Sequence, residues 1–144
     1  MSFIQLYIHC VWGTKYREPV LEPGGRGLLL AHIRETAQAK KIGIDVINGY
    51  YDHIHCLLSL PPVENLSKAL QLLKGESAHW ANRNAIFPRP LVWAKGYYAA
   101  SIDLKSLSAV RSYILTQEEH HGQHFFMENQ HFRDTVQLSD PELP

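Results

Sequence analysis

The stretch "YYDHIHCLLSLPP", residues 50–62, has the composition of a buried β-strand but carries two histidines, His53 and His55. Successive side chains of a strand point to opposite faces of its sheet. One parity holds an apolar set suited to a core: Ile54, Cys56, Leu58 and Leu60. The histidines share the other parity. The stretch therefore predicts a strand with a core on one face and two imidazoles on the other.

The strand belongs to a regular order of elements along the chain. Period-two alternation predicts strands at residues 3–13, 44–49, 51–60 and 91–101, with a turn near Asn48 and Gly49. Helical spacing of apolar residues predicts helices at 26–41, at 63–83 and from Asp103 or Ser106 to Gly122. The order β-α-β-β-α-β predicts an α+β, ferredoxin-like fold, with one antiparallel sheet, two helices on one face and a third, C-terminal helix. The histidines would then project from the uncovered face.

Composition restricts the class of protein. The chain has 144 residues, 45% of them hydrophobic and 19% charged, which is typical of one globular domain. Basic and acidic residues are equal in number, 14 of each, which argues against a protein that coats nucleic acid by bulk charge. We expect a domain at 1–122 and a tail at 123–144 with at most a short helix.

The chain shows no sign of export or of membrane insertion. No apolar run is long enough to span a bilayer, and the first residues lack the features of a signal peptide. Cys10 and Cys56 both lie in strand-like runs, so we expect reduced thiols in a core. These observations predict a cytoplasmic location.

Two groups of residues could carry chemistry. The imidazoles of His53 and His55 point the same way on a strand and could share a divalent ion, although two ligands alone make a weak site. With nine histidines in the chain, such a pair also arises by chance, as two half-exposed strand residues. Tyr113 and Gln117 lie one helical turn apart, where they could meet a metal-bound phosphate or simply form an amphipathic rim.

Five motifs occur in a fixed order along the chain: "YIHCVWGTKYREPVL", "YYDHIHCLLSLPP", "ALQLLKGESAHW", "VWAKGYYAAS" and "VRSYILTQEEHH". In this order and at about this spacing they resemble the single-tyrosine transposases of bacterial insertion sequences. These are small enzymes of the HUH type (histidine, hydrophobic residue, histidine), and they include the REP-associated tyrosine transposases. The similarity runs from about Tyr7 to His121.

The resemblance implies a role for each residue of the site. His53 and His55 would bind a divalent metal, Mg²⁺ or Mn²⁺, with Gln117 as third ligand, and Tyr113 would be the nucleophile. The implied reaction cleaves and rejoins single-stranded DNA at hairpin-bearing ends through a 5′-phosphotyrosine. The implied assembly is a homodimer in which the tyrosine helix of one subunit covers the histidines of the other, although REP-associated relatives can act as monomers.

Further residues are candidates for contact with nucleic acid. His9 matches a histidine found in the first strand of many relatives, and its parity puts it on the open face. The family's "KYR" and "KG" motifs give Lys15, Tyr16, Arg17 and Lys74. Tyr97 could stack on an unpaired base. For each of these, an ordinary role at the surface or in packing is the alternative.

Two other functions stay open. The first is a single-strand nucleic-acid-binding module without catalysis, which the retained Tyr113 disfavours. The second is a metallohydrolase that uses the histidine pair with water and needs a nearby carboxylate as base. Asp52 and Glu118 are the candidates for that base, and the strand parity predicts that Asp52 faces the core.

Overall fold

The structure is a computed structural model that describes residues 6–61 and 64–116. Four strands form one sheet: β1 (Tyr7–Gly13), β2 (Gly43–Gly49), β3 (His53–Ser59) and β4 (Tyr98–Ile102). The helices are α1 (Pro23–Ala39), α2 (Leu66–Arg83) and α3 (Leu107–Leu115). The strand order is β2-β3-β1-β4, and every neighbouring pair is antiparallel. The predicted α+β fold is confirmed. In these residues, no helix has the length and apolar character needed to cross a membrane.

The first face of the sheet forms the main core with α1 and α2. Its strand residues are those of the predicted parity: Cys10, Trp12, Ile54, Cys56 and Leu58. Leu29 and Ile33 of α1 and Leu70 and Leu73 of α2 pack onto them, each with 1% or less of its surface exposed. Both cysteines are free and buried, as predicted, and burial raises the pKa of Cys10 to about 12. The thiols are therefore core residues.

The second face of the sheet is covered by α3, so the prediction of an uncovered face is wrong. Leu57 of β3 is buried against Leu107 and Ile114 of α3. Partly buried residues surround this second core: Tyr7, Val46, Ile102, Val110 and Tyr113. Full burial of a side chain such as Ile114 contributes about 1.5–3 kcal/mol, which is reason enough for α3 to dock on this face. The histidines of β3 thus lie beneath a helix.

Polar contacts also hold α3 to β2. Arg111 donates to both carboxylate oxygens of Asp45, at 2.8 and 2.7 Å. At the end of the helix, Nδ2 of Asn48 donates to the carbonyl oxygens of Ile114 and Leu115, at 3.0 and 3.1 Å. The last carbonyls of a helix have no partner within it, so Asn48 satisfies two of them. The predicted end of this helix, Gly122, lies outside the described residues.

Helix α1 begins three residues before its predicted start, at Pro23. The sequence "EPGG" indicates a connection, but proline fits the first turn of a helix because its missing N–H has no partner to lose there. Gly25 in the same turn packs closely, and a Cβ atom there would lie 2.7 Å from the carbonyl oxygen of Ile86. Tertiary packing therefore explains the glycine.

Strand β4 begins at Tyr98 rather than at the predicted residue 91. The ammonium group of Lys74 on α2 donates to the carbonyl oxygens of Ala94, Lys95 and Gly96, at 2.7, 3.1 and 3.2 Å. Three successive carbonyls that converge on one ammonium do not have the alternating arrangement of a strand. Trp93 forms one isolated bridge to Thr14, so the segment contacts the sheet without extending it.

Candidate active site

Three histidines from two neighbouring strands meet on the second face of the sheet. His53 and His55 lie on β3 with ring centroids 5.0 Å apart. His9 of β1 stacks on His55 at 5.1 Å. His53, His55 and His9 are only 2%, 3% and 7% exposed, so the half-exposed strand histidines considered as an alternative are excluded. The strand alternation predicted that the three histidines share a face, although not that they are in contact or buried.

The ring of His53 is held by a carboxylate. Oδ1 of Asp52 lies 2.6 Å from Nδ1 of His53, and Nε of Arg17 donates to Oδ2 of Asp52 at 3.2 Å. Burial by itself raises the pKa of Asp52, but the hydrogen bond and charge of His53 and the nearby Arg17 outweigh it and lower that pKa to about 2. Asp52 is therefore an anion that orients His53 through Nδ1.

Asp52 does not face the core, so that prediction is wrong. It lies in the turn before β3, which begins at His53, and the alternation of the strand does not extend to it. Its backbone carbonyl accepts from Thr14 N at 2.9 Å, which ties the turn to the end of β1. Asp52 is the residue of the site whose role sequence reasoning missed. Its signal was its position directly before the histidine pair.

The ring of His55 is held by another imidazole. Nε2 of His9 lies 2.9 Å from Nδ1 of His55, at hydrogen-bonding distance. Burial lowers the pKa of His9 to about 4, because desolvation penalises the charged form. His9 is thus neutral near pH 7. A residue so buried is poorly placed for the nucleic-acid contact that its match to the family suggested.

Tyr113 of α3 contacts the histidines of its own chain. Its ring meets His55 edge-on with centroids 5.4 Å apart, and it meets His9 at 6.1 Å. The contacts of α3 with β2 and with Leu57 of β3 fix this arrangement. The rings of Tyr113 and His55, which are far apart in sequence, therefore lie side by side. Gln117 lies outside the described residues.

A strained turn lies beside this site. Tyr16 and Arg17 have φ angles of 57° and 56°, in the left-handed region that costs about 1–2 kcal/mol for each such residue. Hydrogen bonds from Lys15 N to Val92 O, at 2.8 Å, and from Arg17 N to Thr14 O, at 3.0 Å, hold the turn. The turn directs Arg17 to Asp52 and leaves Tyr16 59% exposed.

Lys74 and Tyr97 lie apart from the histidines. They line a cavity of about 540 Å³ between α2 and residues 91–97. Tyr97 packs against the core formed with α1 and α2, on the other side of the sheet from Tyr113. Its hydroxyl is 2.8 Å from Oγ of Ser67. The three carbonyl partners of Lys74 give it a structural role in this wall of the cavity.

A divalent metal fits the donor set only in part. In residues 6–61 and 64–116, no three or more His, Cys, Asp or Glu residues are grouped to hold a metal ion. The described site supplies two imidazoles, His53 and His55, each with Nδ1 in a hydrogen bond to Asp52 or His9. This is the pattern of metal-binding histidines, whose second nitrogen is held by a neighbouring group. Nε2 is therefore the nitrogen that each would offer.

Comparison with known proteins gives the family. A sequence profile described as "Transposase IS200 like" matches residues 2–117. The chain belongs to this family. It is 27% identical over 116 residues to the transposase for insertion sequence element IS200 of Salmonella typhimurium, which covers 77% of this chain and 76% of that protein. It is 25% identical over 124 residues to the ISDra2 transposase TnpA of Deinococcus radiodurans, covering 80% and 86%. The resemblance read from the five motifs is confirmed.

Solved structures of transposases share the fold. A crystal structure of a Deinococcus radiodurans protein assigned as a transposase matches with a TM-score of 0.64 at 24% identity, covering 81% of this chain and 93% of that one. A REP-associated tyrosine transposase bound to a REP hairpin matches with a TM-score of 0.62 at 18% identity, covering 85% and 72%. At these identities the likeness concerns the fold.

Proposed function

We propose that this IS200-like transposase cleaves and rejoins single-stranded DNA at hairpin-bearing ends through a 5′-phosphotyrosine on Tyr113. One observation carries the proposal. The ring of Tyr113 lies 5.4 Å from that of His55, within a single chain, although the two residues are 58 positions apart in sequence. Buried histidines with held rings next to a tyrosine are suited to phosphoryl transfer.

The metal would be held by Nε2 of His53 and of His55, with Gln117 as the proposed third ligand. Mg²⁺ and Mn²⁺ are the candidates. Mg²⁺ prefers oxygen ligands, so a site with two nitrogen ligands should suit Mn²⁺ at least as well as Mg²⁺. When bound, such an ion neutralises a non-bridging phosphate oxygen and stabilises charge on the leaving oxygen. The part of this chain is to orient both imidazoles, through Asp52 and His9.

The proposed cleavage exchanges one phosphate ester for another. The phenol oxygen of Tyr113 forms a bond to phosphorus, and the bond from phosphorus to the 3′ oxygen of the preceding nucleotide breaks. The phenol loses its proton, and the departing oxygen gains one and becomes a 3′ hydroxyl. Rejoining is the reverse, in which a 3′ hydroxyl attacks the phosphotyrosine and Tyr113 regains its proton. The ester bond is conserved, so no ATP is needed.

The strained turn at Lys15–Arg17 is the proposed contact with the unpaired strand. Tyr16 offers an exposed ring for stacking on a base, which contributes about 1–3 kcal/mol per base in such complexes. Lys15 lies on the same turn, with its ammonium 5.4 Å from the centroid of the Tyr16 ring. Arg17 is committed to Asp52. Lys74 and Tyr97 would serve a separate surface, the cavity beside α2.

The position of Asp52 weighs against the metallohydrolase. That reaction needs a carboxylate base, but Asp52 accepts from His53 and Arg17, and a pKa of about 2 makes it a weak base. The other candidate, Glu118, lies outside the described residues. A binding module without catalysis would not need a phenol against the histidine pair, so the position of Tyr113 weighs against it.

The same contact bears on the proposed subunit arrangement. Tyr113 meets the histidines of its own chain, which supports a site completed within one subunit. The shared site that the resemblance implies would require α3 to leave β2 and dock on a second copy. If the protein forms a homodimer with a shared site, we therefore propose that the two subunits exchange their α3 helices. A cytoplasmic location remains a prediction.

The test is covalent capture. The full chain is mixed with Mn²⁺ and a labelled library of single-stranded DNA hairpins with randomised flanking nucleotides, and denaturing electrophoresis detects a DNA adduct. We expect an adduct with the unchanged protein and with the control variant Tyr51→Phe, in the β2–β3 turn. We expect none with Tyr113→Phe or His53→Ala.

The other outcomes select the other functions. Cleavage that survives Tyr113→Phe and leaves no adduct indicates a hydrolase that uses water. Binding of hairpins without any cleavage indicates the non-catalytic module. Either result overturns the proposed reaction.

A further inference from the structure

His9 forms and breaks no bond in the reaction as proposed, yet it lies within the site. It lies on β1, 7% exposed, with its Nε2 atom 2.9 Å from Nδ1 of His55 on β3. The planes of the two rings are 22° apart. Tyr98 of β4 and Tyr113 of α3 meet His9 edge-on, both with centroids at 6.1 Å. Three elements besides its own strand therefore fix the position of this imidazole.

The hydrogen bond between the two rings contains one proton, which is carried either by Nε2 of His9 or by Nδ1 of His55. If Nε2 of His9 carries it, Nδ1 of a neutral His55 is the acceptor and Nε2 of His55 is protonated. If Nδ1 of His55 carries it, Nε2 of His9 is the acceptor and Nε2 of His55 keeps its lone pair. Only the second arrangement lets a neutral His55 bind a metal through Nε2.

We infer that His9 is a positioning residue: its Nε2 atom accepts the Nδ1 proton of His55 and thereby commits the Nε2 lone pair of His55 to the metal. This inference rests on the proposed metal site. It gives the two metal-binding histidines different supports, an anionic carboxylate for His53 and a neutral imidazole for His55. By reciprocity, a bound metal ion should fix the proton of this pair on His55.

The first measurement is metal affinity, because it does not depend on catalysis. Free Mn²⁺ is titrated against the full chain by electron paramagnetic resonance. Loss of a group that orients a metal ligand typically costs about 10–100-fold in affinity, and we expect a loss of that size for His9→Leu, which removes the acceptor. His9→Gln keeps an amide oxygen as acceptor and should bind Mn²⁺ nearly as the unchanged protein does. His79→Gln, on the exposed face of α2, is the control.

The second measurement locates the proton in the unchanged protein, so it holds even if His9→Leu fails to fold. Ring ¹⁵N–¹H correlation spectra of the full chain with Mg²⁺ should show the proton of His55 on Nδ1 and that of His9 on Nδ1. The spectra of His9→Gln and His79→Gln identify the His9 signals. A His55 proton on Nε2 in the presence of Mg²⁺ would overturn the inference, and so would an unchanged Mn²⁺ affinity in a folded His9→Leu variant.

Failure of the inference can be separated from failure of the metal site itself. His55→Ala should remove Mn²⁺ binding if the proposed site exists. If His55→Ala binds Mn²⁺ as the unchanged protein does, the metal site of the proposed function is wrong, and the role of His9 falls with it. If His55→Ala removes binding but His9→Leu leaves it intact, only the role of His9 is wrong.

Discussion

Asp52 Oδ1 lies 2.6 Å from Nδ1 of His53, while the other carboxylate oxygen of Asp52 is 3.2 Å from Nε of Arg17. A residue of the β2–β3 turn thus fixes the ring of the first strand residue that follows it. Arg17 lies in the strained turn after β1, and its guanidinium donates to the second carboxylate oxygen of Asp52. The site therefore depends on two loops as well as on the sheet.

Replacement of Asp52 by asparagine should weaken the site without dismantling it. The amide oxygen can still accept from His53, but the negative charge is lost, and we expect Mn²⁺ affinity and adduct formation to fall about 10-fold or more. Arg17→Gln leaves the carboxylate on His53 and should have a smaller effect. Glu35→Gln on the exposed face of α1 makes the same charge change and serves as control. Equal affinities for all four proteins would contradict the role given to Asp52.

Asn48 should govern how firmly α3 covers the histidines. Asn48→Ala removes both side-chain hydrogen bonds to the end of the helix, at Ile114 and Leu115. We expect a loss of about 1–3 kcal/mol in the stability of this contact, since each of the two bonds contributes about 0.5–1.5 kcal/mol. Amide hydrogen exchange should become faster in residues 110–115 and stay unchanged in the strands of the sheet.

The matched control for Asn48 is Asn84→Ala. Asn84 donates from its side chain to the carbonyl oxygen of Trp80 at the end of α2, at 2.9 Å. Its removal should affect exchange near α2 and leave α3 as it was. Faster exchange across the whole chain in Asn48→Ala would instead mean that Asn48 stabilises the entire fold.

The Asp45–Arg111 pair should contribute to stability above the acid range. The hydrogen bond from Arg111 lowers the pKa of Asp45 below its ordinary value of 3.8. The folded state therefore binds fewer protons than the unfolded state in the acid range, so the contribution is complete well above pH 3.8 and is lost as pH falls through the lower, folded pKa. In Arg111→Gln, the loss of stability on acidification should therefore be smaller than in the unchanged protein.

The measurement is the midpoint of thermal unfolding between neutral pH and the acid range. The difference between the unchanged protein and Arg111→Gln should be largest at neutral pH, shrink below pH 3.8 and be reduced by salt, because the pair is partly exposed. Arg83→Gln, exposed at the end of α2, should show no such dependence. A difference that grows with acidity would have the wrong sign.

Tyr16 should show opposite effects on stability and on binding. Tyr16→Asn places a residue that tolerates the left-handed region at a φ of 57°, so the protein should gain up to about 1 kcal/mol of stability. The same change removes the exposed ring, and affinity for single-stranded DNA should fall by about 1–3 kcal/mol. Tyr16→Phe keeps the ring and should keep the affinity. Thermal unfolding measures the stability, and fluorescence anisotropy with labelled oligonucleotides measures the affinity. Equal binding by all three proteins would exclude stacking at Tyr16.

The sequence predicted the sheet and the shared face of its histidines because both follow from strand alternation and the order of the elements. Cys10 and Cys56 are register partners in β1 and β3 and share the core face, as their parity requires. The same parity put His9, His53 and His55 on the other face. These features depend only on the two-residue period of a strand and on the order of the elements.

The features that the sequence did not predict depend on contacts between distant segments or on turns. The apolar stripe of α3 was visible, but its docking partner, Leu57, lies among the histidines, and nothing local indicates that the two meet. Residues 94–96 lie outside β4 because their three carbonyls converge on the ammonium of Lys74, some 20 residues earlier. The alternation of β3 did not predict the orientation of Asp52 because Asp52 lies in the turn before the strand.

A mixture of two inactive variants should reveal whether subunits share the site. Tyr113→Phe lacks the nucleophile and His53→Ala lacks a metal ligand, so neither should form an adduct alone. Because Tyr113 packs on His55 of its own chain, we expect no recovery when the two variants are mixed. Recovery would mean that α3 of one copy reaches the histidines of another, and Asn48→Ala in both variants should then increase it, since it loosens α3 from β2. The double variant Tyr113→Phe with His53→Ala, mixed with unchanged protein, controls for the effect of mixing itself.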